Sequence, residues 1–243
     1  MTHMKHILMA AACMLPVLAS ASAEGNAVLE EADHARGGTL PGLAWTITLT
    51  SHDADGSTVR VMQAIVDDRA ARVEYTEPAK MRGQRIVMVG RNMWFLRPGL
   101  QRPVPLSPRQ RLLGAASNGD VAATRYARDY EADIEGHERI DGEDCVVLNL
   151  IARERSATYD RIRYWVSEAR ALGVKAEFYT VSGKLFKTAR FDYANRVGYE
   201  GRRFPFISRM TITDAINRDN VTVLDYSQVQ VKRPDPSLFE LGQ

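Results

Sequence analysis

The chain has 243 residues, of which 45% are hydrophobic and 26% are charged, and its formal net charge is +2. This composition is typical of a globular protein and excludes an intrinsically disordered or collagen-like chain. The near-neutral charge and the lack of any Lys/Arg block argue against nucleic-acid binding. Because no repeat or low-complexity tract divides the chain, we expect one large domain.

The N-terminus has the three parts of a secretory signal peptide. Lys5 and His6 are basic, residues 7–18 are apolar, and Ala21-Ser22-Ala23 is a small-x-small cleavage site. The apolar stretch is too short to span a bilayer. We therefore predict a signal peptide over residues 1–23, cleaved after Ala23, and a single exported domain over residues 24–243.

The two cysteines indicate the compartment. Cys13 comes too early in the apolar stretch for a lipoprotein signal and would be removed with the signal peptide. Cys145 lies in an alternating strand pattern, which favours a packed residue over a nucleophile. An exported protein with one cysteine has no intramolecular disulfide, and this favours the bacterial periplasm over a disulfide-rich eukaryotic secreted module.

The first part of the mature chain predicts one helix followed by a meander of hairpins. Residues 26–36 carry an apolar helical stripe, and Gly37-Gly38 would end that helix. Alternating segments then predict strands, with a turn at Asp55-Gly56. These strands cover residues 45–50, 58–67, 72–75, 84–89 and 92–96.

The middle of the chain interrupts this pattern. Residues 98–108 contain four prolines and one glycine, so they cannot form an interior strand. Ser107, Pro108 and Gln110 have the pattern of a helix start with a capping box. We therefore predict a helix that carries Leu112 and Leu113 and ends at residues 118–119, followed by a short helix from residue 120 to residue 126.

The second half again predicts strands, at residues 130–138, 146–150, 161–166, 174–179, 191–193, 209–217 and 220–231. Within residues 159–193, three alternating segments are joined by connections short enough to permit only antiparallel pairing. A sheet of this size must twist and curl. Its apolar face would either line a groove covered by helices or form the packed core of a β-sandwich.

Four stretches together resemble the periplasmic LolA/LolB-like lipoprotein-carrier superfamily, in its branch of outer-membrane lipoprotein-sorting proteins. They are LEEADHARGG at 29–38, the proline loop and following segment at 90–122, the block at 159–193, and the closing hairpin and tail at 208–241. The resemblance covers nearly the whole mature chain. It departs at residues 118–122, where similar proteins carry bulkier aromatic side chains after the aspartate.

The resemblance implies a mainly β fold with a few helices: a curved, incompletely closed antiparallel barrel with a helical lid over an apolar cavity. It also implies binding of acyl chains, with no catalysis and no cofactor. The apolar alternating positions are then candidate cavity walls, and three leucines are candidate lid residues. The wall candidates are Trp45, Ile47, Leu49, Met88, Phe95, Leu148, Leu150, Tyr164 and Phe178, and the lid candidates are Leu29, Leu112 and Leu113.

The sequence offers little support for an enzyme or a metal site. His34, His52 and His137 are far apart and lack metal-ligand spacing. The segment 53–56 resembles the start of a calcium loop but lacks the later glutamate, and a hairpin turn explains it better. Four arginines surround the proline loop, either as a solvated surface or as a patch for anionic lipid headgroups or an acidic partner. They are Arg97, Arg102, Arg109 and Arg111.

These observations predict a periplasmic carrier of an acylated lipoprotein or lipid. It would receive its cargo from an inner-membrane exporter, with a transporter of the resistance-nodulation-division type as the candidate, and pass it toward the outer membrane during transient membrane contact. The alternative is a sensor of the same fold that detects mislocalised lipoprotein and binds a membrane signalling protein.

Overall fold

The computed structural model describes residues 16–35, 37–123 and 125–241. The first half contains helix α1 (Pro16–Ala35), strands β1 (Leu43–Asp53), β2 (Gly56–Val66), β3 (Ala70–Glu77), β4 (Arg85–Val89), β5 (Asn92–Leu96), β6 (Val104–Leu106), β7 (Arg111–Leu113) and β8 (Ala116–Ser117), and helices α2 (Asn118–Ala122) and α3 (Tyr126–Asp129). The second half contains β9 (Tyr130–Ile140), β10 (Glu143–Ala152), β11 (Arg161–Ser167), β12 (Gly173–Tyr179), β13 (Leu185–Asp192), β14 (Asn195–Tyr199), β15 (Arg202–Phe206), β16 (Arg209–Asp214) and β17 (Val221–Val231). Single 3₁₀ turns lie at Ala79–Met81 and Pro236–Phe239.

Within the described residues, one antiparallel sheet of 13 strands dominates the fold. Its order is β6-β5-β4-β3-β2-β1-β17-β16-β13-β12-β11-β10-β9, so consecutive hairpins extend in both directions from the pair of β1 and β17. The end strands β6 and β9 do not pair with each other, and the sheet is not closed into a barrel. This confirms the predicted curved, incompletely closed antiparallel architecture.

Alternation of apolar and polar residues decides which face of the sheet forms the core. In β1, Trp45, Ile47 and Leu49 are buried, whereas Thr46 and Thr48 between them are half-buried on the outer face. A period of two places each set on its own face. The inner sets of most strands join one large hydrophobic cluster on the concave side of the sheet.

The outer face of strands β10 to β12 carries a second, smaller core beneath charged side chains. Trp165 lies on this face yet is fully buried, and it packs with Cys145, Val147 and Val174. Lys175 Nζ lies 3.9 Å from the centre of the indole ring. The charged side chains therefore cover a small second core, in which Cys145 has the predicted role of a packed residue.

Helix α1 is longer than predicted and lies against β9, an end strand of the sheet. A Cβ at Gly25 would lie 2.4 Å from the carbonyl oxygen of Ala132, so the helix can approach β9 only because residue 25 is glycine. Asn26 Oδ1 accepts a hydrogen bond of 3.0 Å from the backbone N–H of Ala132. The side chain thus satisfies a donor that a further strand would otherwise bind.

Most of the predicted signal peptide, including Cys13, lies outside the described residues, as does residue 36 at the predicted end of the helix. The predicted cleavage site after Ala23 falls within α1. Among the residues that the structure describes, no helix combines the length and apolar character needed to cross a bilayer.

The predicted helix that carries Leu112 and Leu113 is wrong. Gln110 does accept a hydrogen bond from the backbone N–H of Ser107, as the capping motif requires, but the chain turns instead of winding into a helix. Residues 111–113 and 116–117 form the small hairpin of β7 and β8, with Gly114 at positive φ between them. The two leucines therefore belong to a hairpin and not to a helical lid.

Contacts with the large sheet explain why a hairpin forms here. The Arg60 guanidinium donates to the carbonyl oxygen of Leu112 at 2.8 Å, and Thr222 Oγ1 accepts from the backbone N–H of Ala115 at 2.9 Å. These partners replace the hydrogen bonds of a helix. The helices follow later, as α2 and α3, instead of the single helix predicted over residues 120–126.

Candidate functional site

An apolar cavity of about 90 Å³ lies between the concave face of the sheet and the segments that cover it. Trp45 of β1 and Met210 of β16 line it from the sheet, and Val121 and Tyr126 line it from α2 and α3. The other apolar or aromatic lining residues are Leu40, Leu43, Val66, Ala123, Tyr130, Tyr159, Phe191, Phe206, Ile207 and Tyr226. The walls are thus predominantly apolar, as in sites that bind hydrophobic ligands.

Residues 107–123, which we call the covering segment, close one side of this interior. A Cβ on Gly114 would lie 2.2 Å from Ser51 Oγ and 2.3 Å from Thr222 Oγ1, so the tip of the hairpin rests directly on β1 and β17. Asp33 of α1 accepts a hydrogen bond of 2.9 Å from the backbone N–H of Ala127, which connects α1 to α3. The cover therefore consists of α1, the covering segment and α3.

A buried ion pair fixes the covering segment to the sheet. Lys187 of β13 lies 3.0 Å from Asp120 of α2, and the two side chains are 3% and 2% exposed. Lys187 Nζ also donates to the carbonyl oxygen of Ala115 at 2.8 Å and to Ser117 Oγ at 3.3 Å. Tyr159 donates its phenolic O–H to Asp120 at 2.5 Å. Each charge thus has several partners, which burial of a charge requires.

Burial changes the titration of two members of this cluster. It lowers the pKa of Lys187, and the adjacent Asp120 carboxylate offsets part of that effect. It raises the pKa of Tyr159 well above the ordinary value, and the negative charge of Asp120 adds to the rise. Because these groups bind one another across α2, β13 and residue 159, the cluster holds the covering segment against the sheet.

The structure gathers most of the predicted wall residues in one core, but few of them line the cavity. Trp45 lines it directly. Met88 borders two small neighbouring clefts, and Phe95 is half-buried on β5. The remaining six wall candidates are fully buried in the core cluster without lining the cavity, namely Ile47, Leu49, Leu148, Leu150, Tyr164 and Phe178. Their role as ligand contacts stays a prediction.

The lid candidates have different positions. Leu29 is fully buried on α1, and Leu112 and Leu113 are half-buried on β7 and pack against the same core. All three thus belong to elements that cover the concave face. Their contact with a ligand stays a prediction.

The polar groups of the interior were not predicted from the sequence. Lys187 occupies an inward position of β13, in register with the buried Ala189 and Phe191, and a lysine at such a position was a detectable signal. Asp120 was expected only as the first residue of a short helix. Arg125 lines the cavity although nothing in its local sequence marks it.

The four arginines around the proline loop do not form one patch. Arg109 donates to Asp160 at 2.7 Å and to the carbonyl oxygen of Ala157 at 2.9 Å, so it joins two loops. Arg97 and Arg102 line a separate groove of about 420 Å³ near the β6 end of the sheet. In the described part of the chain, no three His, Cys, Asp or Glu side chains are placed to hold a metal ion.

Comparisons with known proteins agree with this architecture. A family model described as uncharacterized-protein-like matches residues 67–242. A LolA superfamily protein from Nitrosomonas europaea is 34% identical, with a TM-score of 0.79, and the match covers 89% of this chain and 97% of that chain. No protein of curated function matches.

A second solved structure shares the fold at lower identity. It is a putative outer membrane lipoprotein-sorting protein domain from Vibrio parahaemolyticus, 19% identical with a TM-score of 0.76, and the match covers 90% of this chain and 97% of that chain. Fold and site together define an open antiparallel sheet curved around a covered apolar cavity. The chain belongs to the LolA superfamily.

Proposed function

We propose that this protein is a periplasmic carrier that binds the acyl chain of a lipoprotein or lipid between the concave sheet and its cover. The observation that carries the proposal is the apolar cavity, which lies between the large sheet and the short elements that cover it. Membership of the LolA superfamily supports the same role. No catalytic step is part of this function.

The size of the cavity indicates that the cover must move when cargo binds. Sites for drug-sized ligands measure roughly 300–1,000 Å³, whereas this cavity measures about 90 Å³. Each buried methylene contributes about 0.8 kcal/mol. A chain of about ten methylenes would therefore contribute enough free energy to offset displacement of a few packed side chains, and closure of the cover would favour release.

The finer part of the proposal concerns transport. After export, the protein would receive its cargo from an inner-membrane exporter of the resistance-nodulation-division type and pass it toward the outer membrane during transient membrane contact. Capture of such an exporter by crosslinking in the periplasm would support this step. Capture of a transmembrane signalling protein instead would favour the sensor function.

The binding function can be tested with the full protein purified from periplasm. Extraction with organic solvent followed by mass spectrometry should recover a lipid, and the delipidated protein should take up a fluorescent fatty acid. If neither is observed, the proposal is wrong.

A pair of variants locates the binding site. Ala123 is half-buried and lines the cavity, so Ala123→Phe should fill it and reduce uptake of the fluorescent fatty acid at least about tenfold. Val181 is 83% exposed at the turn between β12 and β13, and Val181→Phe is the matched control that should bind normally. Equal uptake by both variants would place the binding site elsewhere.

A further inference from the structure

Trp45 combines two properties that bear on the chemistry of the cargo. It lines the cavity, and its side chain is 4% exposed and packs on Phe206 with ring centres 5.3 Å apart. Its indole Nε1 is buried and has no hydrogen-bond partner among the described residues. A buried donor without an acceptor is costly and rare in folded proteins. An oxygen atom of a bound molecule would supply the missing acceptor.

The charged residues along the cavity give a second, independent indication. Four are aspartates, and each has a partner. Asp33 accepts from the Ala127 N–H, Asp67 from the Ala70 N–H, Asp120 from Lys187, and Asp129 from Arg128.

Arg125 is the fifth charged residue of the lining and differs from the aspartates. It is half-buried, and its guanidinium forms no ion pair with any other residue that the structure describes. Among the charged lining residues that the structure describes, Arg125 is therefore the cation whose guanidinium is available to bind a ligand. Because a guanidinium binds carboxylates and phosphates through paired hydrogen bonds, it favours an anionic group on the cargo.

We propose that the cargo is an acyl chain with an anionic oxygen headgroup, in which Trp45 donates to an oxygen next to the chain and Arg125 binds the negative charge. This inference rests on the proposed carrier function. The carboxylate of a free fatty acid and the phosphate of a lysophospholipid share this chemistry. A neutral ester or alcohol of the same chain length lacks the charge and should bind less tightly.

Calorimetric titration of the delipidated full protein tests the inference. The probes are hexadecanoate, palmitoyl lysophosphatidate, methyl hexadecanoate and hexadecanol. One or both anionic probes should bind at least about tenfold more tightly than the neutral probes, as expected for a charge-assisted hydrogen bond. The stronger of the two identifies the carboxylate or the phosphate as the preferred headgroup.

Substitutions at Arg125 and Trp45 test the two proposed contacts with the cargo separately. Arg125→Gln should weaken the anionic probes about tenfold and leave methyl hexadecanoate unchanged, with Arg97→Gln, in the separate groove, as control. Trp45→Phe should weaken all the oxygen-bearing probes about threefold to tenfold. Trp94→Phe is its control, because Trp94 packs in a small cluster with Phe239 and does not line the cavity.

The results of these experiments test the inference separately from the carrier function on which it rests. If no probe binds the unaltered protein, the carrier function and this inference both fail. If the anionic and neutral probes bind equally tightly, and neither Arg125→Gln nor Trp45→Phe changes their affinity, the carrier function stands and the inference is overturned. Should Trp45→Phe misfold, Arg125→Gln still decides, because Arg125 is only half-buried and no described partner depends on it.

Discussion

At the scale of single residues, the buried ion pair of Lys187 and Asp120 bears on stability. Removing one partner leaves the other charge buried and uncompensated, which costs about 3–5 kcal/mol. We therefore expect Lys187→Met to lower the free energy of unfolding by that amount in urea titrations. The side chains are 3% and 2% exposed, so solvent does little to screen the loss.

A control variant and a double variant show whether the loss of stability comes from the buried pair. Lys184 is exposed in the preceding turn, so Lys184→Met should change the free energy of unfolding by no more than about 0.5 kcal/mol. The double variant Lys187→Met with Asp120→Asn removes both charges and should recover part of the loss. A double variant as unstable as the sum of the two single variants would contradict the buried-pair explanation.

Tyr159 predicts a dependence of stability on alkaline pH. Its pKa is raised in the folded state, so above the unfolded value of 10.0 the unfolded chain loses this proton first. The stabilisation is complete below pH 10 and is lost as pH rises toward the folded pKa, at about 1.4 kcal/mol per pH unit. Lys187 has the opposite effect on the free energy of unfolding. Because its pKa is lowered in the folded state, its contribution to stability rises with pH until pH passes the unfolded value of 10.5.

Comparison with Tyr159→Phe isolates the contribution of Tyr159 to the pH dependence of stability, because both proteins retain Lys187. The free energy of unfolding should fall less steeply between pH 10 and pH 11.5 in the variant, although its value at pH 8 should be lower through loss of the bond to Asp120. Equal slopes in the two proteins would contradict the assignment to Tyr159.

At the scale of elements, the contact between α1 and β9 depends on Gly25. In Gly25→Ala the new Cβ would lie 2.4 Å from the backbone oxygen of Ala132, so the helix must move away from the strand. We expect a loss of about 1–3 kcal/mol, by the usual cost of overpacking. At Gly198 the nearest atom to an added Cβ is 4.0 Å away, so Gly198→Ala is the control. Thermal unfolding of the two variants, in the form of the chain that retains residue 25, gives the comparison.

Elements were predictable from the sequence where local pattern and tertiary contacts agree. Residues 161–166 and 174–179 alternate between the core and the outer face, and both form strands at nearly the predicted positions. Residues 107–117 have a local helix-start motif, but Arg60 and Thr222 supply hydrogen bonds to the backbone of a hairpin. These partners are 52 and 107 residues away in the sequence, so no local pattern reveals them.

At the scale of the whole molecule, the sequence predicted the fold class better than the site. A period of two identifies the side chains that share the concave face, and Trp45 on that face lines the cavity. It does not show where packing leaves space, because that depends on how α1 and α3 close over the sheet. For the same reason Arg125 was not predicted as a lining residue.

The unpaired ends of the sheet have a consequence for the protein in a crowded compartment. An open sheet can grow by adding a strand from another copy and so form aggregates. At one end, β6 has three residues, and one of them is Pro105, which has no N–H to donate. At the other end, Asn26 of α1 already binds the Ala132 N–H of β9. Both ends of this open sheet are thereby protected against polymerisation.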